Sequence, residues 1–262
     1  MATQLPSLTT TNQPASPFKQ VLNQVRYELL LTARRGENLA ITFIVPIVLL
    51  VFFTSLNFIP NPAGTTTVER LLPGILAMAI IAAGMVNLGI ATAYERYYGV
   101  LKRLGSSPLS RSGLISAKII TILLIEVVQF LVLVGVAALY GWRPVGSPFL
   151  TLLALVLGTI TFSALGLAMA GGLRAEATLA GANILYLIFL FIGGVIAPLD
   201  LLPAPLKAFS HILPSTALIQ TLQTTMSRNS SFPGSDLGSN LLVLGIWAIL
   251  ALVIAIRTFK WE

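Results

Sequence analysis

Six long apolar runs divide this sequence, and they constrain its fold more than any other feature. The runs cover about residues 39–58, 71–93, 114–140, 149–173, 179–196 and 241–256. A helix needs roughly 20 consecutive apolar residues to cross the hydrocarbon core of a bilayer. Every backbone polar group in lipid must be paired within the protein, which leaves helices as the spanning structure for runs of this length. The sequence therefore predicts an all-α integral membrane protein with six transmembrane helices.

The composition excludes several classes of function. Only 10% of the residues are charged, whereas soluble domains carry about 25%. The formal net charge of +7 comes from basic residues at the ends of apolar runs, so nucleic acid is not an expected partner. The chain has no cysteine and one histidine, which excludes disulfides, thiolate metal sites and histidine clusters. We therefore expect no catalytic residue, no metal site and no bound cofactor in this chain.

Lysines and arginines set the expected orientation, because cytoplasmic loops of membrane proteins are enriched in them. Twelve of the sixteen fall on one predicted side: Lys19, Arg26, Arg34, Arg35, Arg96, Lys102, Arg103, Arg111, Lys118, Arg174, Arg257 and Lys260. The other four fall on the opposite side: Arg70, Arg143, Lys207 and Arg228. Six spans place both termini on the richer side, so we predict cytoplasmic termini in the cell (plasma) membrane.

The N-terminal region predicts a tail and then an interfacial helix. Residues 1–16 contain no charged residue and are rich in Thr, Ser, Pro and Gln, which predicts a disordered cytoplasmic tail. Residues 17–262 then form a single transmembrane domain. Apolar residues at helical spacing follow Pro17, which predicts an amphipathic helix at the membrane surface: Phe18, Val21, Leu22, Val25 and Leu29. The first span contains Pro46, and we expect a neighbouring helix to satisfy the carbonyl that this proline leaves unpaired.

A basic segment between the second and third spans, residues 94–111, is the main candidate for a functional site. Its apolar residues follow steps of three, four and three, which predicts one stripe of a continuous helix: Tyr94, Tyr97, Leu101 and Leu104. Charged residues lie off that stripe: Glu95, Arg96, Lys102 and Arg103. Such a helix is suited to lie at the membrane surface and contact a partner. The alternative is a solvated loop that only fixes the topology.

Prolines divide the segment between the fifth and sixth spans into two short helices. The first has an apolar stripe of Leu206, Phe209 and Leu213, and Pro214 begins the second. On the outer side, two such helices would re-enter the membrane, where irregular backbone must be covered by protein. An amphipathic cap that lies flat on the membrane is the alternative.

Four polar residues within the spans are candidates for a translocation path. Glu126 is the one carboxylate at mid-span, and a charge at that depth costs ~2.5–3.5 kcal/mol on insertion scales. Gln129, Asn87 and Asn183 are the other candidates. For all four the alternative is a hydrogen-bonded tie between helices, a common use of intramembrane polar groups.

Two segments resemble the membrane subunit of type 2 ATP-binding-cassette exporters, the ABC-2 permease family. The first, Glu95-Arg96-x-x-Gly99-x-Leu101-Lys102-Arg103-Leu104 with Pro108-x-Ser110-Arg111, is similar to the family's segment between spans two and three. The second, Leu202-Pro203-x-Pro205-Leu206 with Leu213-Pro214-Ser215-Thr216, is similar to its helices after span five. The resemblance extends over roughly residues 17–260. Tyr98 and Val100 depart from it, since a basic residue and a threonine are common there.

The resemblance implies a coupling helix at residues 94–104 that sits in a cleft of a separate ATPase. The sequence agrees with a separate energy source, because it contains no G-x-x-x-x-G-K-[ST] phosphate loop. The implied assembly has two permeases, identical or different, and two ATPases that bind ATP and Mg²⁺. Its implied activity is export of a hydrophobic or amphipathic compound, either drug-like or a lipid.

Other functions stay open on the residues alone. An ion-coupled secondary transporter would need several ionisable groups at mid-membrane and an inverted repeat. A passive membrane scaffold would need neither. An intramembrane enzyme would need a nucleophile with a base or a metal cluster.

Overall fold

The computed structural model of the protein describes residues 16–34, 36–56, 66–194, 199, 202–226 and 236–261. Its helices are α1 (Pro17–Arg34), α2 (Gly36–Leu56), α3 (Thr67–Ile81), a π-helical segment (Ala82–Asn87), α4 (Leu88–Tyr97), α5 (Val100–Gly105), α6 (Arg111–Leu139), α7 (Pro148–Gly172), α8 (Ala175–Ile192), α9 (Ala204–Ser210), α10 (Pro214–Met226) and α11 (Leu237–Thr258). None of the described residues forms a β-strand. The predicted tail up to residue 15 and residues 57–65 lie outside these ranges.

Six helical stretches in the described part of the chain are long and apolar enough to cross a membrane. They are Leu39–Leu56, Thr67–Tyr97, Arg111–Leu139, Pro148–Gly172, Ala175–Ile192 and Leu237–Thr258. The prediction of an all-α protein with six spans is therefore confirmed. The second stretch is longer than predicted, because α3, the π-helical segment and α4 run on without a break to Tyr97.

Helix α7 packs at the centre of the bundle, where small residues let its neighbours approach. It contacts α3, the π-helical segment, α4, α6, α8, α10 and α11. A Cβ atom added at Gly166 would lie 2.7 Å from the carbonyl oxygen of Met85 and 2.8 Å from that of Gly84. Gly158 meets Leu218 of α10 in the same way, at 2.9 Å. The glycines of α7 therefore let the neighbouring helices approach closely.

The π-helical segment interrupts the second span at the point where it crosses α7. The backbone N–H of Leu88 donates to the carbonyl oxygen of Ala83, five residues earlier. A turn of this kind is wider than an α-helical turn, and such turns occur mostly as single insertions inside α-helices. The segment separates α3 from α4 within this span.

Helix α1 forms where the sequence predicts it, but with a different face packed. Gln24, Val25 and Glu28 are buried, and the helix contacts α6. Phe18 and Leu22 of the predicted apolar stripe remain 75% and 56% exposed. Two polar residues of α1, Gln24 and Glu28, therefore face the protein, and much of its apolar stripe does not.

Two short helices, α9 and α10, follow the fifth span as predicted. Every residue of α10 from Pro214 to Leu222 is buried, because the helix packs among α3, α7 and α11. The stripe predicted for α9 is wrong in part. Leu206 and Phe209 are 41% and 50% exposed, and only Leu213 is buried, because it lies in the turn after α9 ends at Ser210.

Candidate functional site at the basic end of the bundle

Three segments that are distant in sequence meet at one end of the bundle, which we call the basic end. The Arg96 guanidinium donates through Nη1 to the Gly171 carbonyl oxygen at 2.6 Å and through Nη2 to that of Leu173. These hydrogen bonds join residues 94–111 to the connection between α7 and α8. The C-terminal segment joins them, since a Cβ atom added at Gly105 would lie 3.1 Å from the Trp261 ring.

The predicted continuous helix over residues 94–104 is wrong, because the chain breaks at Gly99. Helix α4 ends at Tyr97 and α5 begins at Val100. Gly99 between them has φ +71°, a left-handed conformation that glycine adopts without the steric cost of a Cβ. The two halves of the segment are therefore separate helices with different directions.

The break divides the predicted stripe into an exposed half and a buried half. Leu101 is 1% exposed and belongs to a core cluster with Leu114, Ile115 and Phe259, and Leu104 packs against that cluster. Tyr97 is 65% exposed. The leucines therefore hold α5 onto the rest of the bundle, and they are not available to a partner.

The exposed half is an aromatic surface, which we call the tyrosine cluster: Tyr94, Tyr97 and Tyr98. The rings of Tyr97 and Tyr98 meet edge to face with centroids 5.2 Å apart, and Tyr98 stacks on Tyr94 at 6.1 Å. Tyr98 is 70% exposed, and Lys102 and Arg103 are exposed on α5. The sequence reasoning left Tyr98 out of the candidate site, although it stands beside Tyr97.

A buried ion cluster lies next to this surface and joins three helices. Lys118 of α6 is 1% exposed, and its Nζ lies 3.0 Å from Glu28 Oε1 of α1 and 2.7 Å from Glu95 Oε2 of α4. Gln24 Nε2 donates to the same Glu28 oxygen at 3.0 Å. Glu95 was predicted to be one of the charged residues off the apolar stripe of residues 94–104, and it pairs with Lys118 inside the bundle.

The cluster forms one end of a cavity of about 110 Å³ between α1, α2, α4 and α6, which we call the charged cavity. Asn87, a predicted path residue, lines this cavity. Its Nδ2 donates to Thr42 Oγ1 of α2 at 3.5 Å. Sequence reasoning took Lys118 only as a topology signal, although a lysine inside a span needs a buried partner or water.

Gln129, a second predicted path residue, ties two helices together. Its Nε2 donates to the Thr42 carbonyl oxygen at 2.7 Å. That carbonyl would ordinarily accept from the N–H of residue 46, but Pro46 has none. The expectation that a neighbouring helix satisfies the carbonyl freed by Pro46 is therefore confirmed, and Gln129 supplies the donor.

Glu126 and Asn183 stand apart from the basic end and from each other. Glu126 is 6% exposed, and its Oε2 accepts from Thr159 Oγ1 of α7. The contact favours the tie between helices over a path contact. Asn183 is exposed, and its Nδ2 donates to the Leu179 carbonyl oxygen of its own helix at 2.7 Å, so it makes no tie there.

These elements define a multi-pass membrane protein with a centre of small residues and with its ion cluster at one end. The chain belongs to the ABC-2 type transporter family, whose sequence profile matches residues 19–227. The family consists of permeases of ATP-binding-cassette transporters, which carry no ATPase site of their own, and membership implies an ATP-binding-cassette ATPase as partner. The resemblance seen in the sequence is confirmed.

Three relatives share most of the chain, and all three carry provisional names as transport permeases. The chain is 29% identical over 248 residues to ycf38 of Cyanophora paradoxa, which covers 87% of this chain and 84% of the relative. It is 27% identical over 198 residues to ycf38 of Porphyra purpurea, with coverage of 72% and 68%. It is 26% identical over 178 residues to YvfS of Bacillus subtilis (strain 168), with coverage of 66% and 72%.

Proposed function

We propose that this permease exports a hydrophobic or amphipathic compound, a drug-like molecule or a lipid, from the cytoplasm. Two permease copies and two ATPase subunits form the working complex in the plasma membrane, and ATP and Mg²⁺ bind to the ATPases. The basic end faces the cytoplasm together with both termini, in keeping with the enrichment of basic residues there.

The observation that carries this proposal is the tyrosine cluster beside exposed basic residues. Tyrosine and arginine are enriched among the residues that carry most binding energy at protein interfaces. Tyr97 and Tyr98 offer a pre-arranged aromatic surface, and Arg103 is exposed next to it on α5. Since Leu101 and Arg96 are used inside the permease, the ATPase contacts of the coupling region are Tyr97, Tyr98 and the basic face of α5.

Removal of both tyrosines tests this assignment. Tyr97→Ala with Tyr98→Ala should lower co-purification of the ATPase by roughly tenfold or more, because truncation of interface anchors costs about 2 kcal/mol or more. The permease itself should stay folded, since both side chains are exposed. Tyr27→Ala is the matched control, because Tyr27 is 52% exposed on α1.

The opposite result, unchanged ATPase binding, would contradict the assignment. Full retention of the ATPase by the double variant would end the proposed docking surface. Leu101→Asp serves as a contrast: because Leu101 is buried within the permease, it should lower the yield of folded permease before any effect on binding is measured.

We assign α9 and α10 to a re-entrant pair at the outer side of the membrane. Burial of α10 among three spanning helices supports this placement over a flat cap. Helix α11 also holds the turn before α10, because Trp247 Nε1 donates to the Ile212 carbonyl oxygen at 2.8 Å. The pair would close the outer end of the permease around α3 and α7.

Among the four predicted path residues, Asn87 lines the charged cavity. Gln129 and Glu126 act as ties between helices, in line with their contacts to Thr42 and Thr159. Glu126 gives little support to an ion-coupled mechanism, because one of its two carboxylate oxygens already accepts a hydrogen bond from Thr159. Export driven by a partner ATPase is the function that the contacts and the family support together.

A further inference from the structure

The charged cavity changes in character along its length. The ion cluster of Glu28, Glu95 and Lys118 closes one end, and Ile122 and Ile125 of α6 line the wall further along. From Lys118 to Ile125 the helix rises by roughly 10 Å, at ~1.5 Å per residue. The cavity therefore runs from a charged end at the basic end of the bundle to a deeper part where these isoleucines lie beside the polar side chains of Asn87 and Thr42.

Within the part of the chain that the structure describes, the ion cluster is not electrically balanced. Two carboxylates, Glu28 and Glu95, surround one ammonium group, Lys118, so the cluster carries one excess negative charge when all three are ionised. The two glutamate side chains keep 12% and 14% of their surface exposed. A charge with reduced access to water is costly unless it is compensated. A ligand cation beside these carboxylates would supply the missing positive charge.

The hydroxyl groups near this end present acceptors rather than donors. Thr121 Oγ1 donates its proton to the Ala117 carbonyl oxygen of its own helix at 2.8 Å. Thr32 Oγ1 donates to the Glu28 carbonyl oxygen at 2.9 Å. A hydroxyl group has one proton and two lone pairs, so the oxygens of both threonines keep acceptor capacity toward the cavity. This pattern suits a ligand rich in donors and is independent of the charge count.

We propose that the charged cavity binds the protonated amine of an amphipathic molecule. The carboxylates of Glu28 and Glu95 and the oxygen of Thr121 receive the ammonium group, and Ile122 and Ile125 contact the first carbons of its apolar part. An apolar cavity of ~150 Å³ holds a benzene molecule, so about 110 Å³ accommodates an ammonium group with a few carbons. The rest of the molecule extends beyond the cavity.

This inference deepens the proposed function and rests on it for its physiological meaning. It narrows the exported class from hydrophobic or amphipathic compounds to amphipathic amines. The cavity lies between α1 and α4, and α4 ends in the tyrosine cluster, so its occupant touches the helix that borders the proposed ATPase contact.

The test uses the purified full-length permease in a neutral detergent, without the ATPase. Thermal unfolding is followed with hexylammonium chloride, with hexanol, and with sodium chloride at matched ionic strength. A ligand that binds only the folded state raises the melting temperature in proportion to its occupancy. We expect hexylammonium to raise the melting temperature above the value with hexanol, and sodium chloride to give no comparable rise.

Hexanol measures how much the hexyl chain alone stabilises the permease by binding at apolar sites outside the charged cavity. A second cavity, of about 220 Å³, lies between α6, α7 and α10 and is lined mostly by apolar residues such as Phe130 and Leu155. Both ligands can place a hexyl chain there. The difference between the two melting temperatures therefore reports the ammonium group.

Two variants test whether the difference in melting temperature between hexylammonium and hexanol comes from the charged cavity. Glu28→Gln removes the excess charge and should weaken hexylammonium binding roughly tenfold, because a unit charge within a few Å contributes more than 1.4 kcal/mol at intermediate dielectric. Thr121→Val keeps the side-chain shape and removes an acceptor, so it should weaken the same binding and leave hexanol unaffected. Glu176→Gln, an exposed carboxylate at the start of α8, should change nothing.

Two results would overturn the inference: equal shifts for hexylammonium and hexanol, or an undiminished ammonium-specific shift in both Glu28→Gln and Thr121→Val. Because the assay needs neither ATP nor a partner, its failure is distinct from a failure of the proposed function. Export of neutral amphipathic compounds by a permease without amine binding would overturn this inference and leave the exporter intact.

Discussion

The first and second spans differ in how much of their surface is buried within the protein. In the 18-residue apolar stretch of α2 only 11% of the residues are buried within the protein. In an 18-residue apolar stretch of the span formed by α3, the π-helical segment and α4, 72% are buried. The more exposed helix is also the more apolar one, with Phe52, Phe53 and Val48 on its open surface. Lipid is as apolar as leucine, so burial in a membrane protein follows small residues and close packing rather than hydrophobicity.

The largest effect should come from the contact between the second span and α7. Gly166→Leu would place a side chain against the Gly84 and Met85 carbonyl oxygens, where even a Cβ atom lies under 3.0 Å away. We expect loss of folded, monodisperse permease on size-exclusion chromatography. Gly181→Leu is the control, because a Cβ atom there meets nothing within 4 Å. Equal yields of the two variants would contradict the close approach.

A smaller but clear loss should follow from a cavity in the second span. Leu72 is fully buried on α3, and Leu→Ala changes in packed cores cost about 2–5 kcal/mol of unfolding free energy. Denaturant titration in detergent micelles measures the cost for Leu72→Ala. A cost below about 0.5 kcal/mol would mean that the second span is no better packed than α2.

The attachment of α2 to the bundle can be tested through Gln129. Gln129→Leu leaves the Thr42 carbonyl oxygen without its donor, and an unsatisfied buried polar group costs about 1–3 kcal/mol. Pro46→Ala restores a backbone N–H at residue 46, so the double variant should recover most of that loss. The same titration gives the coupling free energy. Additive effects of the two changes would show that Gln129 and Pro46 are unrelated.

The smallest effect should come from the open surface of α2. Val48 is 54% exposed, and Val48→Ala should change the unfolding free energy by no more than about 0.5 kcal/mol, as at ordinary surface positions. The unfolding free energy of the Val48→Ala permease in detergent is compared with that of Leu72→Ala under identical conditions. A loss similar to that of Leu72→Ala would show that another protein surface covers α2.

Sequence reasoning predicted the spans well because each leaves a strong signal of length and apolarity. The carbonyl freed by Pro46 was also predictable, since proline always removes the same donor. The break at Gly99 was not, because the helical spacing of Tyr94, Tyr97, Leu101 and Leu104 continues across it. Helical spacing alone does not show that one glycine in a left-handed conformation ends the first helix and starts a second one.

The ion cluster was missed for a different reason. Glu28, Glu95 and Lys118 lie on three separate helices, and the tertiary packing of α1 on α6 brings them together. Nothing local in the sequence marks that packing, because Glu28 of α1 turns inward while Phe18 and much of the apolar stripe stay exposed. The available signal was the position of Lys118 inside a span, where a charge requires compensation.

The π-helical segment has a consequence for the phase of the second span. An α-helix turns about 100° per residue, so the residue inserted at 82–87 sets α4 about 100° out of phase with α3. Glu95 and Arg96 reach Lys118 and the α7–α8 connection only in this phase. Deletion of one residue there would leave α3 in place and turn both side chains away, although the insertion lies roughly 18 Å up the helix at ~1.5 Å per residue.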